Sequence, residues 1–424
     1  MGMNETPSAE RVHIGFFGCR NAGKSSLLNA VANQKAAVVS PEKGTTTDPV
    51  RKTMELAPLG PVVLIDTPGI DDEGELGALR VQRAEQELGR ADIAVLVVDS
   101  TAGICEADER LITLFQENRL PYLIAWNKAD LDNERKDMKE GCPGGLDSVE
   151  LLKKRQEWGN PVCLRVSAVS GEGIETLKEA ISNLKAEGGA LERPLVEDLI
   201  EPSDFVVLVI PIDKAAPKGR LILPQQQTIR KILDRGAVAV TAGENELGNI
   251  LTGLGKRPKL VITDSQIFGS VSRQVPEDIA LTSFSILFAR YKGSLEASVK
   301  GAMALETLQE GDRILISEGC THHRQCGDIG TEKLPAWIQN YVGKKISFSF
   351  TQGMDFPKDL SDYHMVIHCG GCMLNEKEMK NRIKTAARQQ IPMTNYGIVI
   401  AHINGILKRS IGPFEDVSAI LSGK

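Results

Sequence analysis

Apolar runs and polar stretches alternate along this chain in three blocks. Between residues 11 and 186, short β-branched runs recur: Val12–Phe17, Val62–Ile65, Ile93–Val98, Tyr122–Trp126 and Val162–Val166. They lack polar alternation, which predicts strands of a parallel sheet covered on both faces by the intervening helices. Gly188-Gly189 and Pro194 mark a linker over 188–202. A second block, 203–275, carries strand patterns at Phe205–Ile210, Val238–Thr241 and Leu260–Thr263, with helical patterns at Thr228–Asp234 and Asn245–Leu254. Three βα units enclose only a small core, so this block is expected to pack against something else, such as a second copy of itself. The third block, 276–424, predicts strands at Arg313–Ser317, Ile346–Phe350, Tyr363–Ile367 and Gly397–Ile400, and helices at Glu296–Leu308 and Glu376–Gln390. The fold class read from this pattern is α/β, in three α/β units (1–187, 203–275 and 276–424). No internal repeat or low-complexity tract stands out.

Composition changes this picture only at its margins. The 424 residues exceed one ordinary core, and 42% hydrophobic with 25% charged residues is normal for a globular chain. A net charge of −6 and only 4% aromatic residues count against a surface built to bind nucleic acid. No apolar run reaches membrane-spanning length and no signal pattern opens the chain, so a cytoplasmic protein is expected. Met1-Gly2 with Thr6 formally fits a myristoylation pattern but reads as a chance match. In a reducing compartment, clustered cysteines are metal ligands more often than disulfides.

The first block carries a phosphate-binding loop, Gly18-Cys-Arg-Asn-Ala-Gly23-Lys24-Ser25, between a strand and a helix. Its glycines turn backbone N–H groups toward phosphates, with Asn21, Ala22 and Ser26 lining the same turn. Lys24 reaches the terminal phosphates and Ser25 can ligate Mg2+. Asp66-Thr-Pro-Gly69 follows a strand, where Asp66 can hold the ion through water and the Gly69 N–H can meet a γ-phosphate. Asn127-Lys128-Ala-Asp130 ends another strand. Its Asp130 carboxylate can accept both N–H groups of guanine's Watson–Crick edge, a donor pair adenine lacks, so GTP is expected over ATP. Ser167-Ala168, followed by Gly171, supplies a backbone N–H toward the guanine carbonyl. Four motifs in one order predict a GTPase.

Two further signatures lie in the third block: Cys320-Thr-His322 and His368-Cys369-Gly-Gly-Cys372. Each falls just after a predicted strand, and open α/β sheets bind ligands outside the carboxyl ends of their strands. Neither holds a metal centre alone; together they offer three thiolates and two imidazoles. Thiolates suit iron–sulfur clusters or zinc. Cys320, Cys369 and Cys372 can hold three irons of a [4Fe–4S] cube, with His322 and His368 filling the fourth position or tuning the site from behind. Cys326 is a further candidate thiol, or a free loop cysteine; His323 is expected to point elsewhere. Cys19, Cys105, Cys142 and Cys163 read as scattered, ordinary residues, although alkylating Cys19 would disturb the phosphate loop.

The first block resembles the TrmE–Era group of GTPases. The resemblance implies that Thr46, in Gly44-Thr-Thr46-Thr-Asp48 with neighbours Thr45 and Thr47, is the switch I ligand of Mg2+. It also implies that Asn21 lets K+ replace an arginine finger. Ile70 stands where Ras-like enzymes carry a water-orienting glutamine, so intrinsic hydrolysis is expected to be slow. As a whole the chain resembles one family, the [FeFe]-hydrogenase maturation GTPase HydF. The resemblance rests on the GTPase set, the middle αβ unit and the CxH…HCxxC pattern. It implies a GTPase domain, a middle dimerisation domain forming a homodimer, and a C-terminal domain binding a [4Fe–4S] cluster. It further implies a transient diiron subcluster with CO and cyanide ligands, two radical-SAM maturases as partners, and delivery to apo-[FeFe]-hydrogenase. Two other readings use the same residues. One is an RNA-modification or ribosome-assembly GTPase with a metal-binding tail; the other is a GTPase stapled by structural Cys3His zinc.

Overall fold

The β-branched runs of the first block form a six-stranded sheet. The computed structural model describes residues 10–32, 50–69, 84–131, 148–187, 193–211, 221–319, 328–353 and 355–418. Strands β1 (Val12–Phe17), β2 (Val50–Leu56), β3 (Gly60–Asp66), β4 (Ile93–Asp99), β5 (Tyr122–Asn127) and β6 (Val162–Arg165) lie in the order β2-β3-β1-β4-β5-β6. Every pair is parallel except β2 with β3. The edge strand β2 carries no clear strand pattern because Val50–Leu56 is half polar and buries only Met54 and Leu56. Both faces of the sheet are packed, as the patterning predicts. Leu27, Leu28, Leu177 and Ile181 close one face over Ile14 and Val95. Leu111, Ile112 and Phe115 close the other over Phe17 and Trp126. The strand order reverses at β1, so its carboxyl end opens the crevice where such sheets take their ligands.

The chain divides into two compact units, 1–191 and 192–424. The second contains two four-stranded parallel sheets. One is built from β7 (Phe205–Val209), β8 (Val238–Ala242), β9 (Leu260–Thr263) and β10 (Ala280–Ser283), in the order β10-β9-β7-β8. The other is built from β11 (Arg313–Glu318), β12 (Ser347–Gln352), β13 (Met365–His368) and β14 (Met393–Asn395), in the order β12-β11-β13-β14. One continuous apolar core serves both, running from Val206 and Leu260 to Ile316, Ile367 and Ile400. The small middle block therefore packs against the chain's own third block.

Several sequence expectations change here. The middle sheet takes a fourth strand, β10, that lies past residue 275. Leu195, Val196 and Ile200, expected in the linker 188–202, are buried in the core of the second unit. Gly397–Ile400, expected as a strand, lies inside the helix Tyr396–Ile403. A short Ile/Val run buried on all sides satisfies either element; the Asn395 side chain, accepting the Ile398 N–H, caps it as a helix.

The second unit also repeats itself. Numbered by appearance, both sheets have the strand order 4-3-1-2, and the segments leaving their fourth strands match at one constant offset. Thr282, Ile286, Ala289, Gly293 and Leu295 correspond to Thr394, Ile398, Ala401, Gly405 and Leu407. Ser283 caps the helix Phe284–Tyr291 just as Asn395 caps its counterpart. Both helices are followed by a glycine at positive φ, 74° and 70°. The two helices approach at equivalent positions: a Cβ on Gly397 would stand 2.5 Å from that of Ser285. No helix among the described residues is long and apolar enough to cross a membrane.

Candidate nucleotide and metal sites

The phosphate loop begins where β1 ends. Gly18 has φ of 140°, and a Cβ there would meet the Val97 carbonyl oxygen at 2.3 Å, so only glycine fits. Gly23 has φ of 88° and lies against the Asn127 amide. Lys24 is buried, with its ammonium donating to the carbonyls of Gly18 (3.0 Å) and Cys19 (2.8 Å). Asn21, at φ 62°, is exposed on the same loop, while Ala22 is buried beneath it and Ser26 is exposed on the following helix.

Ser25 donates its hydroxyl to Asp66 Oδ2, and Asp66 Oδ1 is buried with no hydrogen-bond partner. Burial pushes the Asp66 carboxyl up from its ordinary value, partly offset by Ser25 and Lys24. A hydroxyl and a carboxylate with an unsatisfied oxygen fit a hydrated Mg2+. Gly69 packs on the loop itself: a Cβ there would lie 2.9 Å from the Arg20 backbone nitrogen. The guanine motifs are tied to the same loop. Asn127 Nδ2 donates to the Ala22 carbonyl (2.9 Å), and its Oδ1 accepts the Ala168 N–H (3.1 Å). Lys128 is ion-paired with Asp99. Ser167 Oγ donates to Asp130 Oδ1 at 2.6 Å, fixing the carboxylate that would read a base edge. Thr46 and Ile70 lie outside the described residues.

In the second unit, β11 and β13 are neighbours, with Ser317 in register with His368. The Gly319 N–H donates to Cys369 Sγ at 3.1 Å, and the Gly371 N–H reaches the same sulfur at 3.4 Å. Cys320, His322, His323 and Cys326 lie outside the described residues. Burial pushes the Cys369 thiol up, against those two N–H groups. Cys372 is pushed up to about 11 by burial and by Cys369, with Lys292 opposing. Two half-buried thiols and converging N–H groups fit an iron–sulfur centre, where N–H···S bonds stabilise thiolates.

His368 is fully buried, and burial followed by the nearby Arg382 charge lowers its pKa to about 3. Arg382 donates to its Nε2 at 2.9 Å, which places the proton on Nδ1, 2.8 Å from the Cys369 carbonyl oxygen. Both ring nitrogens are engaged, so in this arrangement His368 orients the Cys369 backbone and offers no lone pair to iron. Sequence reasoning missed Arg382, whose guanidinium also reaches Ser317, Glu378 and the Gly353 carbonyl. It also missed Glu318: Oε1 accepts from the Tyr396 hydroxyl at 3.2 Å, and Oε2 is buried with no partner. The spacing of Glu378 and Arg382 on one helix was the only local signal.

Comparisons with known proteins match three segments of the chain. Residues 13–128 match the 50S ribosome-binding GTPase family, residues 195–293 the hydrogen maturase F dimerization domain and residues 296–413 the hydrogen maturase F tetramerization domain. The tRNA modification GTPase MnmE of Nitrosomonas europaea is 32% identical over 192 residues, 43% of this chain and 38% of that protein. GTPase Era of Rippkaea orientalis is 29% identical over 231 residues, covering 54% of this chain and 66% of its own. GTPase Der of Kosmotoga olearia is 34% identical over 224 residues, covering 51% and 48% respectively. The chain thus spans less than two thirds of the length of each of these relatives.

Proposed function

Because the chain belongs to the hydrogen maturase F (HydF) family, carrying both of its self-association domains behind a GTPase domain, we propose that it is a GTP-hydrolysing maturase. In this reading it holds a [4Fe–4S] cluster and carries a diiron precursor to apo-[FeFe]-hydrogenase. The observation that carries the cluster reading is the Gly319 N–H on Cys369 Sγ, one peptide before Cys320. It sets the end of β11 against the CxxC motif, where Cys320, Cys369 and Cys372 would be the ligands. Such a cube supplies an iron corner free of cysteine, open to an exchangeable ligand.

The chain's own residues do the rest. Gly319 and Gly371 donate to the Cys369 sulfur, Arg382 holds His368 against the Cys369 carbonyl, and Glu318 offers an unpaired oxygen beside them. In the first unit, Asp130 selects guanine, Lys24 meets the terminal phosphates, Ser25 and Asp66 hold Mg2+ with Thr46, and Asn21 recruits K+. The middle domain joins two copies, and the radical-SAM maturases are the expected partners.

Anaerobic purification with iron and sulfide analysis, then EPR of the reduced protein, tests this reading. Cys369→Ser and Cys372→Ser should each remove the cluster signal and leave GTP hydrolysis standing, whereas Lys24→Ala should do the reverse. Hydrolysis lost with the cysteines would sink the division of labour. The GTPase match alone also suits an RNA-directed reading, since residues 13–128 match a ribosome-binding family. Retention of RNA by the purified protein, falling steeply with salt, would favour it instead.

A further inference from the structure

Cys19 and Cys105 read as unrelated cysteines in sequence, but the fold brings them together. Cys19 follows the first glycine of the phosphate loop. Cys105 caps the helix Glu106–Glu117, whose third residue, Asp108, closes a capping box by accepting the Cys105 N–H at 3.2 Å. The Cys105 thiol donates to the same oxygen, Asp108 Oδ2, at 3.3 Å. Both sulfurs and an Asp108 oxygen lie within 4.8 Å of one another. Asp108 is 2% exposed, and its second oxygen, Oδ1, is buried with no hydrogen-bond partner. Three acidic groups have thus been gathered around one point.

Burial, with Cys105 and Asp108 as neighbours, pushes the Cys19 thiol far up. Burial also raises the Asp108 carboxyl, against hydrogen bonds from Cys105 and Cys19. Tetrahedral zinc, with Zn–S near 2.3 Å and Zn–O near 2.0 Å, sets sulfur–sulfur distances of roughly 3.8 Å and sulfur–oxygen distances of roughly 3.5 Å. The ligand atoms found here, all within 4.8 Å of one another, stand near those distances. Cys105 is exposed, which gives an ion its entry.

We propose that Cys19, Cys105 and Asp108 form a second metal site, for a thiophilic divalent cation such as Zn2+, between the phosphate loop and the start of the helix Glu106–Glu117. Two thiolates and one carboxylate supply three ligands, and water completes the tetrahedron. Binding releases the thiol protons. The site is separate in sequence and ligands from the cysteines of the second unit.

Co2+ is the probe, because thiolate ligation gives it a sulfur-to-metal charge-transfer absorption. The full-length chain carrying Cys320→Ala, Cys369→Ala and Cys372→Ala, reduced and anaerobic, should take up one equivalent and show that absorption, with Zn2+ displacing it. Cys105→Ser keeps the helix cap, and it and Asp108→Asn should each weaken uptake at least tenfold while GTP binding reports the fold. The triple-alanine chain decides the matter independently of either variant. No charge-transfer band at stoichiometric Co2+, or uptake undiminished in Cys105→Ser, overturns the site.

Discussion

The buried guanidinium of Arg382 ties four acceptors, Glu378, Ser317, His368 and the Gly353 carbonyl, into one network. Gly18 to Ser25 declare a phosphate loop because the motif is continuous. Arg382 declares nothing: it reads as a solvated helix charge, yet its partners His368, Gly353 and Ser317 lie 14, 29 and 65 residues away. It is buried with Glu378, at 1% and 7% side-chain exposure. Arg382→Met would strand that carboxylate and release His368, so a cost of roughly 3–5 kcal/mol is expected in denaturant unfolding of the second unit. Arg382→Lys should recover only part of it, since an ammonium cannot span the same four acceptors. A variant as stable as the parent would show that the network contributes nothing. At the nucleotide site the corresponding prediction concerns Asn21. GTP hydrolysis should be faster in K+ than in Na+, and Asn21→Ala should erase the difference; equal rates in the parent chain would refute the role given to Asn21.

Elements were legible where periodicity was unambiguous. The runs that became β1, β3, β4 and β5 lack alternation because both sides are covered, and with the edge strand β6 they read as parallel strands. Gly397–Ile400 was misread because total burial erases the difference between a strand and a helix; the capping asparagine before it was the better signal. The repeat escaped notice for a related reason. Its two copies share topology and a few positions, such as Thr282 with Thr394 and Gly293 with Gly405, while their remaining residues diverged. The contact between the repeated helices makes this testable. Gly397→Val places a Cβ 2.5 Å from that of Ser285 and 3.0 Å from Ser265 Oγ. Overpacking of this kind should cost about 1–3 kcal/mol. Gly243→Ala is the control: its φ is −76° and a Cβ there meets nothing within 4 Å. A thermal midpoint equally unmoved in both would mean that the helices can part without penalty.

Across all 424 residues, hydropathy patterning separates blocks but misplaces the joints between them. A cut at residue 275 would strip β10 from its sheet and divide one core, so residues 192–424 should unfold in a single cooperative transition, whereas 276–424 alone should not. The same architecture offers a surface for self-association. In the middle sheet the outer strands are β10 and β8. Strand β8 exposes Val238 (40%) and Thr241, and Leu233 on the preceding helix is 55% exposed. An open apolar edge strand is a template for pairing with another chain. The edge at β8 is therefore where a second copy should add its own β8, and charge placed there should oppose pairing without disturbing a core that Val238 does not enter. Val238→Lys and Thr241→Lys together should weaken the dimer at least tenfold by light scattering, with the unfolding midpoint of the monomer nearly unchanged. If the doubly charged chain dimerised as tightly as the parent, the contact between copies would have to lie on another surface.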